Sequence, residues 1–246
     1  MSAISAKGTR GRRGLFAAAA ALLLSGCASG ELSPLGSSLQ GVVPGLSSGP
    51  APAERAAELP YASLLLDTRE RSGLIVLGAE SGRHTLWPTG QQGAISLYQD
   101  GLNATAGFSD DLLSLSYHSY SAQPASGPTQ TAHGDDPRAA DAAAPTPWQH
   151  DTPVHYAIES YAQGANGDVR LSRGKAQLTC AAAEPYPLPL GERRLEHCTE
   201  RVRWETGEQS VSHFYRSPET RRLWAAEVTP WPGAARIRWE VARAWW

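Results

Sequence analysis

In several stretches of the chain polar and apolar residues exchange places at every second position. Leu113, Leu115 and Tyr117 alternate with Ser114, Ser116 and His118, and Ile237, Trp239 and Val241 alternate with Arg236, Arg238 and Glu240. A period of two puts successive side chains on opposite faces of an extended chain, so both stretches predict strands with one wet face. The same reading predicts strands at Tyr61 to Asp67, Leu74 to Leu77, Ala94 to Gln99, Val154 to Tyr161 and Val169 to Cys180. Glu196 to Glu205, Ser210 to Arg216 and Leu223 to Val228 complete the set. Turn signals separate them at Asp100-Gly101, Asn166-Gly167, Thr206-Gly207 and Ser217-Pro218-Glu219. Short strands with short turns predict an all-β fold: antiparallel meanders forming a barrel-like or half-barrel body, with a β-sandwich as the alternative.

Three segments escape this pattern. Residues 1–26 run from a basic stretch ending in Arg12-Arg13 into apolar Leu15 to Leu24, too short to span a bilayer, and then Leu24-Ser25-Gly26-Cys27. That ending resembles a bacterial lipobox: small residues admit a peptidase to the backbone, and the Cys27 thiol is the group that becomes acylated. The Arg12-Arg13-Gly14-Leu15-Phe16 run partly resembles a twin-arginine export signal and leaves the export route open. Residues 27–58 are expected to be a flexible tether, rich in Gly, Ser, Pro, Ala and Leu with almost no charge before Glu54. Residues 59–246 then form a single β domain, interrupted at 121–147 by a segment with no helical or strand period, expected to be disordered and dispensable for folding.

Charge narrows the classes of partner. The formal net charge is −2, and loss of the four basic residues of the leader takes it to −6, so no nucleic acid is expected as a partner. The lipid chains on Cys27 are expected to hold the protein to a membrane, and Ala28 rather than Asp beside it favours the outer membrane in the sorting rule of well-studied Gram-negative envelopes. Beyond Cys27 the chain has two more cysteines, Cys180 and Cys198, flanking a Pro-rich stretch expected to be a loop. An even pair in an exported chain favours a disulfide, worth about 3 kcal/mol in the chain-entropy model, over free thiols or a metal site.

A search for catalytic chemistry finds no constellation. Ser172-Arg173-Gly174-Lys175 has the S-x-x-K spacing of serine acyl-enzymes, but that motif needs a helix, and the surroundings alternate like a strand. No G-x-S-x-G, H-E-x-x-H, Walker loop or dinucleotide fingerprint is present, so no catalytic residue, metal or cofactor is expected. His213, between Val211 and Tyr215, reads as a satisfied core histidine. Paired acids at Asp110-Asp111 and Asp135-Asp136 read as solvated turns.

Tryptophan is the unusual residue: seven of the eight fall in residues 148–246, interleaved with arginine. Indoles stack on sugar rings and guanidinium groups pair with acidic sugars. Trp204 and Trp239 fall in apolar strand phases and read as core, whereas Trp231, between Pro230 and Pro232, reads as a surface residue. Trp231, Arg221 and Arg222 are therefore the candidate glycan contacts.

The chain also resembles the YjbF/GfcB family of lipoproteins from group 4 capsule and related exopolysaccharide clusters. Leu59-Pro60-Tyr61-Ala62-Ser63-Leu64-Leu65-Leu66, Leu74-Ile75-Val76-Leu77-Gly78, the Leu86-Trp87 phrase, and Cys198 to Trp204 with Ser212-His213-Phe214-Tyr215 carry the likeness. The 121–147 segment is longer than the family's middle linker, and the cysteine pair departs from the family. The resemblance implies a barrel-like periplasmic body on an outer-membrane anchor, a non-catalytic accessory in polysaccharide export or assembly with glycan or an export-machinery protein as partner. Three alternatives are a half-barrel carrier of lipid or another apolar ligand, a polysaccharide-processing enzyme and an integral outer-membrane barrel.

Overall fold

The structure, a computed structural model, describes residues 52–119 and 146–246; the leader, residues 1–26, lies outside them, as do Cys27 and residues 28–51 of the tether and 121–145 of the middle segment. The described residues run through thirteen strands. The first seven are β1 (Ser63–Thr68), β2 (Ser72–Val76), β3 (Ala79–Ser81), β4 (His84–Gly90), β5 (Gly93–Tyr98), β6 (Gly101–Ala106) and β7 (Asp111–Ser119). After the middle segment come β8 (Val154–Gln163), β9 (Val169–Leu188), β10 (Gly191–Trp204), β11 (Gln209–Arg216), β12 (Leu223–Val228) and β13 (Ile237–Arg243). A nine-stranded antiparallel sheet in the order β2-β1-β13-β12-β11-β10-β9-β8-β7 forms a half-barrel, and β3-β4-β5-β6 form a second small sheet. Apart from the β1–β13 pairing every neighbour in either sheet is consecutive in sequence, so the fold is one long meander whose ends meet.

The strands expected from alternation are all present, and β3, β4 and β6 are additional. Two strands run further than expected. β9 continues to Leu188 and β10 begins at Gly191, so the predicted Pro-rich loop is an extended hairpin arm. Pro185 pairs with Arg194 and Pro187 with Glu192. Lacking an N–H, each proline occupies a position whose backbone points away from β10, where no ladder bond is lost and the free edge has fewer donors to offer another strand. Cys180 and Cys198 are direct register partners joined in a disulfide, beside an irregularity between Glu196 and Cys198 where the arm departs from the sheet. The arm folds back over the outer face: Tyr186 packs on Tyr215 of β11 at 4.2 Å between ring centroids, and its hydroxyl donates to Glu240 of β13 at 2.9 Å.

Two ends of the predicted unstructured segments are ordered. Pro52–Glu58, assigned above to the tether, forms a short helix α1 whose Ala56 is fully buried against Leu74 and Ala242. Thr146 and Pro147, at the end of the middle segment, are buried, and Pro147–Gln149 form a 3-10 turn that carries Trp148 into the core. Trp148 stacks on Phe214 of β11, meets Tyr117 of β7 edge-on and donates from Nε1 to the carbonyl of Gln99 at 2.9 Å. One indole thus joins the large sheet to the small one. Gly101 leaves room for it, since a Cβ there would lie 2.1 Å from the indole. Arg216 fixes the same segment from below, donating to the carbonyls of Trp148 and His150 at 2.5 and 2.9 Å while pairing with Glu196.

Burial on β11 inverts the expected polarity. Ser210, Ser212, Phe214 and Arg216 face inward, and Val211, His213 and Tyr215 face outward. His213 is therefore not a core residue. The reason lies in the interior, which holds a polar cluster: the Tyr156 hydroxyl donates to the buried Glu200 carboxyl, and Ser212 hydrogen-bonds the same carboxyl. Burial raises the Glu200 pKa, partly offset by those two hydrogen bonds. Trp204 and Trp239 are buried as expected.

Candidate functional site

Two clefts flank opposite ends of β12. The one beside its start forms where three turns and the C-terminus converge. The β5–β6 connection is a tight hairpin in which Gln99 and Asp100 both take positive φ, 48° and 73°, the conformation of a two-residue turn that follows the strand twist. That turn projects Asp100 under Arg222, whose Nε and Nη2 donate to its two oxygens at 3.1 and 2.6 Å. Arg222 follows Arg221, itself at positive φ of 56° in the β11–β12 turn. A bidentate pair of this kind fixes the plane of both groups.

The other face of the guanidinium lies over the Trp246 ring, 3.9 Å from its centroid, with Trp245 at 5.8 Å. Trp246 meets both Trp224 and Trp245 edge-on, and Arg193 of the hairpin arm lies 3.8 Å over Trp224. Two arginines and three indoles therefore share this rim, with Arg193 over the Trp224 face and Arg222 over the Trp246 face. Trp246 remains 42% exposed. The cleft of about 490 Å³ beneath the rim is walled by Trp245, Arg222 and Asp100, with Glu80, Arg83, Gln99 and Gln149 completing it. Flat aromatic surface beside planar amide, carboxylate and guanidinium groups is the equipment of a sugar site: rings stack, and hydroxyls meet donors and acceptors held in fixed planes. The Asp100 carboxylate accepts both bonds from Arg222 and is held as an ion pair.

The structure separates the residues proposed from sequence. Arg222 lines this cleft, and Arg221 is turned to the segment after the 3-10 turn, donating to the Gln149 carbonyl at 2.7 Å and pairing with Asp151. Trp231 is not a surface platform: it is 9% exposed, beyond the far end of β12. It lines the second cleft, of about 440 Å³, with Phe108, Arg69, Arg170 and Arg236. Two flanking prolines made Trp231 look like a loop tip, but Trp231 packs into the main hydrophobic core. The indoles that do offer surface are the C-terminal ones. Their only sequence signal is the clustering of tryptophan, and nothing local marks Asp100 as the partner of Arg222, 122 residues away.

The other chemistry-bearing groups resolve simply. Ser172 and Lys175 lie on β9, where positions three apart face opposite sides. His197 and His213 share a hydrogen bond of 2.9 Å between Nε2 and Nδ1 on the outer face, with His197 stacked on Tyr215. Burial, then the neighbouring His213, lowers the His197 pKa. Cys180, Glu196 and Cys198 bring three potential ligand atoms within 4.8 Å, but both sulfurs are joined in the disulfide. The concave face is filled by side chains, with Trp148, Phe214, Leu178 and Trp239 all at most 1% exposed.

No protein-family model matches the chain, and no curated protein sequence does. Among solved structures the fold is similar to the crystal structure of the hypothetical lipoprotein YmcC from Escherichia coli K12, with a TM-score of 0.61 and 14% identity over 79% of this chain and 89% of that one.

Proposed function

We propose that this chain is an envelope lipoprotein, acylated at Cys27 and held at the periplasmic face of the outer membrane, that serves capsule or exopolysaccharide export or assembly by binding glycan without transforming it. The observation that carries the reading is the cleft in which Trp245, Arg222, Arg83 and Asp100 converge beside the exposed Trp246. The lipobox pattern ending in Cys27 and the likeness in fold to a hypothetical lipoprotein support the anchored part of it. The filled concave face favours this reading over a carrier of lipid, which needs a hollow to hold acyl chains.

The test is calorimetric titration of the protein with acidic oligosaccharides. Trp246→Ala is the informative substitution, because Arg222→Ala would strand the buried Asp100 carboxylate and cost about 3–5 kcal/mol of stability. Loss of one stacking contact should weaken binding about five- to tenfold, and the ionic part of the affinity should fade with salt. Equal affinity of wild type and Trp246→Ala would remove the exposed indole beside the cleft from the mechanism. Turnover of the oligosaccharide by purified protein would move the chain to the enzyme class.

A further inference from the structure

The outer face of β9 and β10 carries charge that no acid among the described residues pairs with. Lys175 and Arg203 are direct register partners, so two cations stand opposite each other on neighbouring strands, and Arg201 follows two positions along on the same face. All three are exposed. Their immediate cross-strand neighbours, Ala157, Gln177, Gln209 and Val211, bring no acid. The two acids at the border, Glu159 and Glu205, both act on Arg173. Like charges directly opposite each other destabilise a sheet. Elsewhere in the described residues seven arginines have carboxylate partners. The patch is also not a by-product of composition, since the whole chain is net acidic.

We infer that Lys175, Arg201 and Arg203 form a docking face for an anionic phospholipid surface, and that the β body lies with this face against the membrane that holds its anchor. The inference rests on the lipoprotein reading above. Charge complementarity and reach argue for lipid as the occupant. The residues between Cys27 and Pro52 cover at most about 85 Å fully extended, so the body stays within that distance of an acylated Cys27. Sugar recognition calls for a stacking platform, and the immediate neighbours of the three cations include no aromatic ring. Long flexible cations on a flat sheet suit a plane of headgroups. They leave the tryptophan cleft, built from other strands and turns, to a different ligand.

Each basic residue at an anionic surface strengthens attraction about fivefold, so the three together should give about a hundredfold. The test compares the full chain bearing Cys27→Ser, which cannot be acylated, with the same chain carrying Lys175→Gln, Arg201→Gln and Arg203→Gln. Both are sedimented with phosphatidylcholine vesicles, with and without phosphatidylglycerol. Both carry the same leader, so its contribution cancels. The expected result is partition onto the anionic vesicles that is about a hundredfold weaker in the triple variant and suppressed by salt. Relief of the opposed charges should leave the melting temperature of the triple variant equal to or above that of its parent, which separates lost docking from lost folding. Equal partition of the two chains, or a lower melting temperature for the variant, would overturn the proposal. So would salt-sensitive binding of the three residues to polygalacturonate in place of vesicles. Failure of the anchor itself would show separately, as absence of palmitate label on wild-type protein in cells.

Discussion

Replacing Glu200 with Gln should remove a pH dependence that the buried carboxyl imposes on stability. The carboxyl is 1% exposed, accepts from the Tyr156 hydroxyl and is hydrogen-bonded by Ser212. Burial raises its pKa, so the folded chain holds a proton that the unfolded chain releases at ordinary carboxyl pKa values. Between the unfolded and folded pKa values the native state binds more protons, and the free energy of unfolding falls as pH rises. The contribution is complete below about pH 4.3 and is lost progressively up to the raised folded value, at a limiting slope of about 1.4 kcal/mol per pH unit. An amide keeps an acceptor for Tyr156 and never ionises. Glu200→Gln should therefore lie within about 1 kcal/mol of wild type at low pH and become the more stable protein at high pH. Urea unfolding followed by tryptophan fluorescence, with both chains measured from acid to mildly alkaline buffer, gives the difference directly, because every other titrating group cancels. Parallel pH profiles for the two chains would refute the reasoning, as would a variant that is destabilised more at high pH than at low.

Trp148→Ala should cost about 3–5 kcal/mol in the same urea assay, since it removes the stack on Phe214 and leaves the Gln99 carbonyl without its donor; a loss below 1 kcal/mol would mean that the two sheets hold together without it. Pro185→Thr with Pro187→Thr should restore two N–H donors to the free edge of the hairpin arm and raise the aggregation rate at unchanged stability, measured by light scattering. Cys27→Ser should abolish incorporation of a palmitate analogue; equal labelling of wild type and variant would exclude that residue as the site of acylation.

The sequence by itself determined the strands, because alternation is a local property of extended backbone: β7, β11 and β13 were legible from a few residues each, as was the pairing of Cys180 with Cys198 from their even number. Which face of a strand is inside is another matter. It depends on how the sheet curves and what the interior already holds, so the polar phase of β11 turns inward to serve Glu200 and the apolar phase carrying His213 turns out. The Pro-x-Pro run read as a breaker, and only the register shows that its missing N–H groups fall on a free edge. The glycan contacts split for the same reason. Trp231 and Arg222 are near neighbours in sequence, but a strand stands between them and carries them to opposite ends of β12. The partner of Arg222 comes from a hairpin turn 122 residues earlier, and the Trp246 ring beneath its guanidinium comes from the C-terminus. The Trp246 contact is made across the neighbouring strands β12 and β13, and the Asp100 contact joins the β5–β6 turn of the small sheet to the start of β12, so neither leaves a local trace in the residues that meet.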